Sequence, residues 1–206
     1  VRASVLAGTA TGTKFRVRGD LHDFPFRDGS RGEFLIQAPV RDVTYAYVPR
    51  SAQEGPAWPA LTEVSGELVF QGAGMQVKGV QGRVQGATRL QVAADARIPD
   101  FHASVVEVSG QIKGPVADSL GVVNTSPVTR MLNNALARTT ATGNADVDLR
   151  LQLPLADISR SVVQGTVTLT GNDVQVSPES PLLTRARGAV KFSDKGFQLV
   201  GTQAPN

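Results

Sequence analysis

The run Ala145-Asp-Val-Asp-Leu-Arg-Leu-Gln-Leu153 alternates apolar and polar residues without a break. A period of two is the period of a β-strand, so Val147, Leu149, Leu151 and Leu153 point one way and Asp146, Asp148, Arg150 and Gln152 the other. A strand of this kind has one wet face and one greasy face, and whatever the chain folds into must do something with the greasy one.

The same period recurs in Thr13-Lys-Phe-Arg-Val-Arg18, Leu90-Gln-Val-Ala-Ala-Asp-Ala-Arg-Ile98, Val162-Val-Gln-Gly-Thr-Val-Thr-Leu-Thr170 and Asp173-Val-Gln-Val-Ser177. Turn residues punctuate these runs at Asp28-Gly29, Gly72-Ala-Gly74, Ile98-Pro-Asp100, Gly171-Asn-Asp173 and Asp194-Lys-Gly196, each of which reads as a hairpin connection. Glycine is abundant, with 21 in 206 residues. About a dozen strands are expected, antiparallel because the connections are short. The lack of an initiator Met at Val1, with a strand-like segment running close to Asn206, suggests a piece of something longer.

One stretch, about residues 115–138, loses the period of two. Ser126-Pro127 reads as an N-cap followed by Pro at the first helical position, and Val128, Met131, Leu132, Ala135 and Leu136 then form one apolar stripe. This predicts a helix of about three turns over 126–138, packed on the end or edge of the sheet, with a shorter helical turn from Pro115 to Val123.

A second regularity has an offset of 122 residues: the segment from Pro59 to Gly79 aligns without gaps on the segment from Pro181 to Gly201. In both, a strand carrying Phe70 or Phe192 meets a turn closed by Gly74 or Gly196. The two are expected to be the same hairpin used twice, with positive φ at both glycines.

Catalytic chemistry has no foothold here, and the chain is not expected to be an enzyme. His22 and His102 stand in unrelated turns without metal-ligand spacing, and no nucleophile elbow, phosphate loop or dinucleotide fingerprint is present. Asp146 and Asp148 share a strand face, but Arg150 follows on it, which predicts a solvated ion-pair row. No cofactor or metal is expected. The net charge of +3 is spread singly, and Phe15 lies opposite Lys14, Arg16 and Arg18, so no nucleic-acid surface is expected. Trp58, between Pro56 and Pro59, reads as a plug on the core. With no apolar run near 20 residues, no helical membrane span is expected in this chain; without cysteine it has no disulfides.

Periodicity leaves three fates for a continuous apolar face: a second sheet, closure into a barrel, or an open trough for an apolar ligand. A further observation bears on the choice. Gly19-Asp-Leu-His-Asp-Phe-Pro-Phe26, Asp28-Gly29, Gly32-Glu-Phe34, Tyr47-Val-Pro49, Trp58-Pro-Ala-Leu61 and Gly66-Glu-Leu-Val-Phe70 occur in an order that resembles the central region of the YhdP family of AsmA-like proteins. Ile98-Pro-Asp100, Gly110-Gln-Ile-Lys-Gly-Pro115, Val123-Asn-Thr-Ser-Pro127 and Gly143 continue the resemblance over nearly the whole chain.

The resemblance implies a mostly β fold, an extended, bent antiparallel sheet of repeated strands forming a β-groove, with one or two short helices. The alternative is a β-sandwich acting as a non-catalytic structural or protein-binding module of the cell envelope. Residues 1–206 would be one groove segment of a larger protein, with a helical insert at about 115–138. The implied role is to conduct phospholipid between inner and outer membranes. The implied location is the periplasm of a Gram-negative bacterium, in a protein whose inner-membrane anchor lies outside this chain. Phospholipid acyl chains and adjoining segments of the same protein are the expected partners. On that reading the candidate groove residues are Leu90, Val92, Val147, Leu149, Leu151, Leu153, Val167 and Leu169.

Overall fold

The computed structural model describes residues 5–26, 29–46, 57–157, 160–193 and 196–203. Its strands are β1 (Val5–Ala10), β2 (Lys14–Gly19), β3 (Gly32–Tyr45), β4 (Leu61–Gln71), β5 (Gly74–Val84), β6 (Ala87–Ile98), β7 (Val105–Pro115), β8 (Thr140–Ala141), β9 (Asn144–Pro154), β10 (Val162–Gln175), β11 (Leu183–Ser193) and β12 (Gly196–Gln203). All twelve belong to one antiparallel sheet. The order is β1-β3-β4-β5-β6-β7-β9-β10-β11-β12, with β2 also on β3 and β8 also on β10. This is an open, bent β-groove rather than a sandwich.

The bend is unevenly distributed. The ladders joining β6, β7, β9 and β10 run without a register shift. On the flanks, β3–β4, β4–β5 and β10–β11 each carry two shifts. A bulge adds a residue to one strand, bends it and sharpens its twist. Several are made by residues with left-handed φ, at Asp42 (54°), Glu63 (53°), Gly79 (59°) and Arg185 (49°). Asp95 Oδ1 accepts from the freed Gly79 N–H at 2.7 Å, and Asp173 Oδ1 from Arg185 N–H at 2.8 Å.

Gly171-Asn-Asp173, expected to be a turn, is instead the interior of β10, where two successive register shifts bend the strand. Asn172 is wholly buried there. Its Oδ1 accepts from Thr170 N–H at 2.9 Å, and its Nδ2 donates to Thr142 O at 2.7 Å and Asn144 O at 2.9 Å. A turn-forming residue thus supplies, from its side chain, the hydrogen bonds that the kinked ladder loses. The Ile98-Pro-Asp100 connection is wider than a tight hairpin: residues 99–104 separate β6 from β7, with Ser104 N–H donating to Asp100 O at 3.0 Å.

The helical segment also differs from its expectation. The principal helix is α1 (Val116–Thr125), while α2 (Val128–Met131) is a single turn. Ser126 stops the first and starts the second: its N–H donates to Val123 O, and its Oγ accepts from Val128 N–H at 3.4 Å. The predicted three-turn helix ends early because Asn133 and Asn134 take left-handed φ of 49° and 59°. Helices this short depend on tertiary burial, and α1 has that surface, lying over the apolar face at the end of the sheet where β6 starts and β7 ends.

The repeated hairpins have matching registers. Phe70 pairs with Met75 and Gln71 with Gly74; Phe192 pairs with Phe197 and Ser193 with Gly196. The glycines are not equivalent, however. Gly196 has φ of 137°, whereas in the first copy it is Gly72 that takes positive φ, 53°. Gly74 answers a different need, since a Cβ there would lie 2.6 Å from Pro99 O. Asp28, Asp194, Lys195 and the Tyr47-Val-Pro49 stretch lie outside the described residues.

Candidate functional site

Direct cross-strand partners point to the same face of a sheet, so the registers define continuous rows of side chains running across the strands. One row is Ala38–Leu68–Val77–Ala96–Val108–Leu151–Val163, apolar on all seven strands from β3 to β10. Six strand spacings of about 4.8 Å give it a length of about 29 Å. Beside it runs Gly82–Val92–Ile112–Val147–Val167–Val190–Leu199, from β5 to β12. Between the two lies Val80–Ala94–Gly110–Leu149–Gly165–Phe192–Phe197, where small residues alternate with large ones. Farther toward the Gly72 turn is Phe15–Ile36–Phe70–Met75–Ile98, on β2 to β6. The apolar track therefore runs perpendicular to the strands.

All eight candidate residues fall on this face, but in unlike surroundings. Val92, Val147 and Val167 share one row, Leu149 and Leu151 belong to the next two, and Leu153 pairs with Val106. These six are half-buried. Leu90 and Leu169 are only 2% and 9% exposed, because α1 lies over them. Val122 of α1 packs on the cluster of Val84, Ala87 and Leu90, and Val116 on the cluster of Ala145, Leu169 and Ala186. Sequence reading missed the β7 contribution, Val106, Val108 and Ile112. The signal was there, since Glu107, Ser109, Gln111 and Lys113 alternate with them.

The two margins of the face differ. Where β6 starts and β7 ends, α1 provides cover. The opposite margin holds Phe24, Phe26, Phe34, Phe70 and Phe101, five of the chain's eight phenylalanines. Phe24 meets Phe34 edge-on at 5.2 Å between centroids, and Phe70 stacks on Phe101 at 6.4 Å. On β2, Phe15 is 77% exposed.

The other face is mainly polar, with Val69 buried between Gln37 and Gln76 as an exception. Asp148 does not pair with Arg150 as an ion-pair row would require; its Oδ1 accepts from Gln111 Nε2 on β7 at 2.9 Å. Arg97 and Glu107 form an ion pair at 2.6 Å across β6 and β7. His102 is exposed beside Asp100, with 3.1 Å between Nδ1 and Oδ1, and His22 follows the N-cap Asp20 of a 3-10 turn. Trp58 is half-buried. Among the described residues no three His, Asp or Glu side chains are grouped to hold a metal, and no helix is long and apolar enough to cross a membrane.

A single sheet with an apolar face laid out across its strands is the context in which the comparisons with known proteins are informative. The sequence model of the YhdP protein matches residues 1–204. The chain belongs to the YhdP family. It is 26% identical over 195 residues to the intermembrane phospholipid transporter YhdP of Escherichia coli (strain K12), an alignment covering 95% of this chain and 14% of that protein. The chain thus spans about one-seventh of its relative's length. No solved structure matches it.

Proposed function

We propose that this chain is one groove segment of a periplasmic conduit that carries phospholipid between the inner and outer membranes. The carrying observation is the set of apolar rows that cross up to seven strands while their central side chains remain half-exposed. Acyl chains are flexible and unpolar, and a continuous apolar floor lets them slide from strand to strand without meeting a polar group that would halt them. The head group stays at the open side, in water. Small residues in the middle row, Ala94 and Gly110, leave width for a chain between Val92 and Leu151. The similarity to a phospholipid transporter supports the same reading. Residues 1–206 then form a single groove segment with its helical insert near 115–138, joined to further segments and to an inner-membrane anchor elsewhere in a longer protein. The work is transport without catalysis and needs no cofactor.

The test is a photoreactive residue in place of Leu151, in the whole protein in cells. A phospholipid adduct at position 151, with none from a probe at Asp148 on the polar face, is the expected result. Equal labelling at both positions, or none at either, would overturn the reading.

A further inference from the structure

The apolar face has a fifth row, and it is the covered one. Gly114, Ala145, Leu169 and Gly188 are cross-strand partners in succession, and the Leu90 side chain leans over Gly114, whose added Cβ would sit 3.0 Å from Leu90 Cδ2. This row lies next to the Val92–Ile112–Val147–Val167 row at ordinary strand pitch, so the surface is continuous and differs only in having α1 on top.

The cover is lightly held. No residue of α1 is itself buried, although it buries Leu90 and Leu169 beneath it. It joins β7 without a loop, at Gly114 (φ 150°) and Pro115, and it ends at Ser126. Arg89 of β6 grips Asp118 in its first turn with two hydrogen bonds, Nε to Oδ2 at 2.9 Å and Nη2 to Oδ1. That guanidinium is 70% exposed, whereas the Asp118 side chain is 14% exposed. In the covered arrangement Asn124 Oδ1 is buried without a partner, a cost that ends when the helix lifts into water.

We propose that the surface beneath α1 is a further acyl-chain subsite, and that α1 is a hinged lid over it, latched by Arg89 and Asp118. This rests on the conduit reading. When the lid lifts at Gly114, the track widens by one row on the margin opposite the phenylalanines. The occupant is an acyl chain because the exposed row carries no polar side chain and continues the open rows without a step.

The experiment places photoreactive residues singly at Ile112, which borders the covered row and packs against the Val84, Ala87 and Leu90 cluster under the lid, and at Leu151, two rows farther from the lid, in the whole protein. Each is combined with Arg89→Ala, with Asp118→Ala and with the exchange Arg89→Asp plus Asp118→Arg. Release of the latch is expected to raise phospholipid adducts at 112 by about two- to fivefold, the population shift that loss of an ion pair with one solvent-exposed partner brings. Adducts at 151 should stay constant, and the exchange should return 112 toward its parental level. Labelling at 151 with none at 112 in any variant, or a level at 112 indifferent to the latch, overturns the lid and leaves the conduit standing. No labelling at 151 in the parent overturns both. Hydrogen exchange of the α1 amides is the fold-independent check: faster exchange in the single variants, with β7 and β9 unchanged, supports the lid, and simultaneous loosening of the strands counts against it.

Discussion

The ring of Phe192 lies on Gly165, its direct cross-strand partner in β10–β11. A Cβ added at Gly165 would fall 2.2 Å from Phe192 Cζ and 2.7 Å from the Asp148 carbonyl oxygen. Gly165→Ala should therefore destabilise the domain by about 1–3 kcal/mol, the usual cost of overpacking. Adding Phe192→Ala removes the ring but not the backbone contact. The double variant should recover part of the loss, a non-additivity that a urea-unfolding cycle reads directly. Strict additivity would mean that the ring does not sit there.

Asn172 presents a different kind of constraint, because it satisfies one N–H and two carbonyls at the β10 bend while wholly buried. Asn172→Leu keeps the bulk and strands all three groups, which at about 1–3 kcal/mol for each unmet buried group makes it among the most damaging single changes. Asn172→Asp keeps the acceptor for Thr170 but turns a second oxygen toward two carbonyls, and should also lower the unfolding midpoint. Thermal unfolding of the two variants, with retention of parental stability by either, would show that water replaces this network.

The sheet was legible wherever alternation is strict, since a period of two needs no tertiary information. β9 and the upper part of β10 are the clearest cases, and their registers carry no shift. The misreadings came at residues whose local chemistry has two uses. Asn172 has the composition of a turn and works as the plug of a bulge. Gly74 reads as a left-handed turn residue, but its lack of a Cβ matters for approach to Pro99. Ser126 does cap a helix, yet Asn133 and Asn134 end it within a turn, and the longer helix formed upstream where apolar surface was available. Leu90 and Leu169 look identical to Leu151 in the sequence. Only the placement of α1 separates them, and periodicity carries no record of what lies above a face.

A titration test is available at Glu179. The Arg138 guanidinium beside it, helped by hydrogen bonds from its own backbone and from Ser177, holds its carboxyl below the usual carboxylate range. A carboxyl lowered on folding contributes its stabilisation above the unfolded value and loses it as pH falls through the folded one. Arg138→Ala should return the Glu179 titration, followed by carboxyl NMR shifts, toward the ordinary value. The associated change in overall stability should be small because both groups are exposed. An unmoved titration would detach the two residues.

The open rows and the covered row can be told apart by placing the same charge in each. Leu151 is half-exposed between Val108 and Val163, so an aspartate there reaches water without leaving its place in the ladder. Leu169 is packed with Ala145 and Ala186 under Val116 of α1, and an aspartate there must either be buried unpaired or force the helix off. Leu151→Asp is expected to cost about 1 kcal/mol, the centre of the range for single substitutions, because the half-buried position lets the carboxylate reach water. Leu169→Asp should cost several, on the order of 3–5 kcal/mol, against a domain stability of about 10. Transport should respond in a different order. Leu151→Asp interrupts a row that is otherwise apolar over seven strands, so a folded protein should fail to pass acyl chains, read as loss of phospholipid adducts at neighbouring Val108. Thermal unfolding alongside that crosslink separates the cases: a folded Leu151→Asp protein with undiminished adducts would show that lipid does not travel along this row.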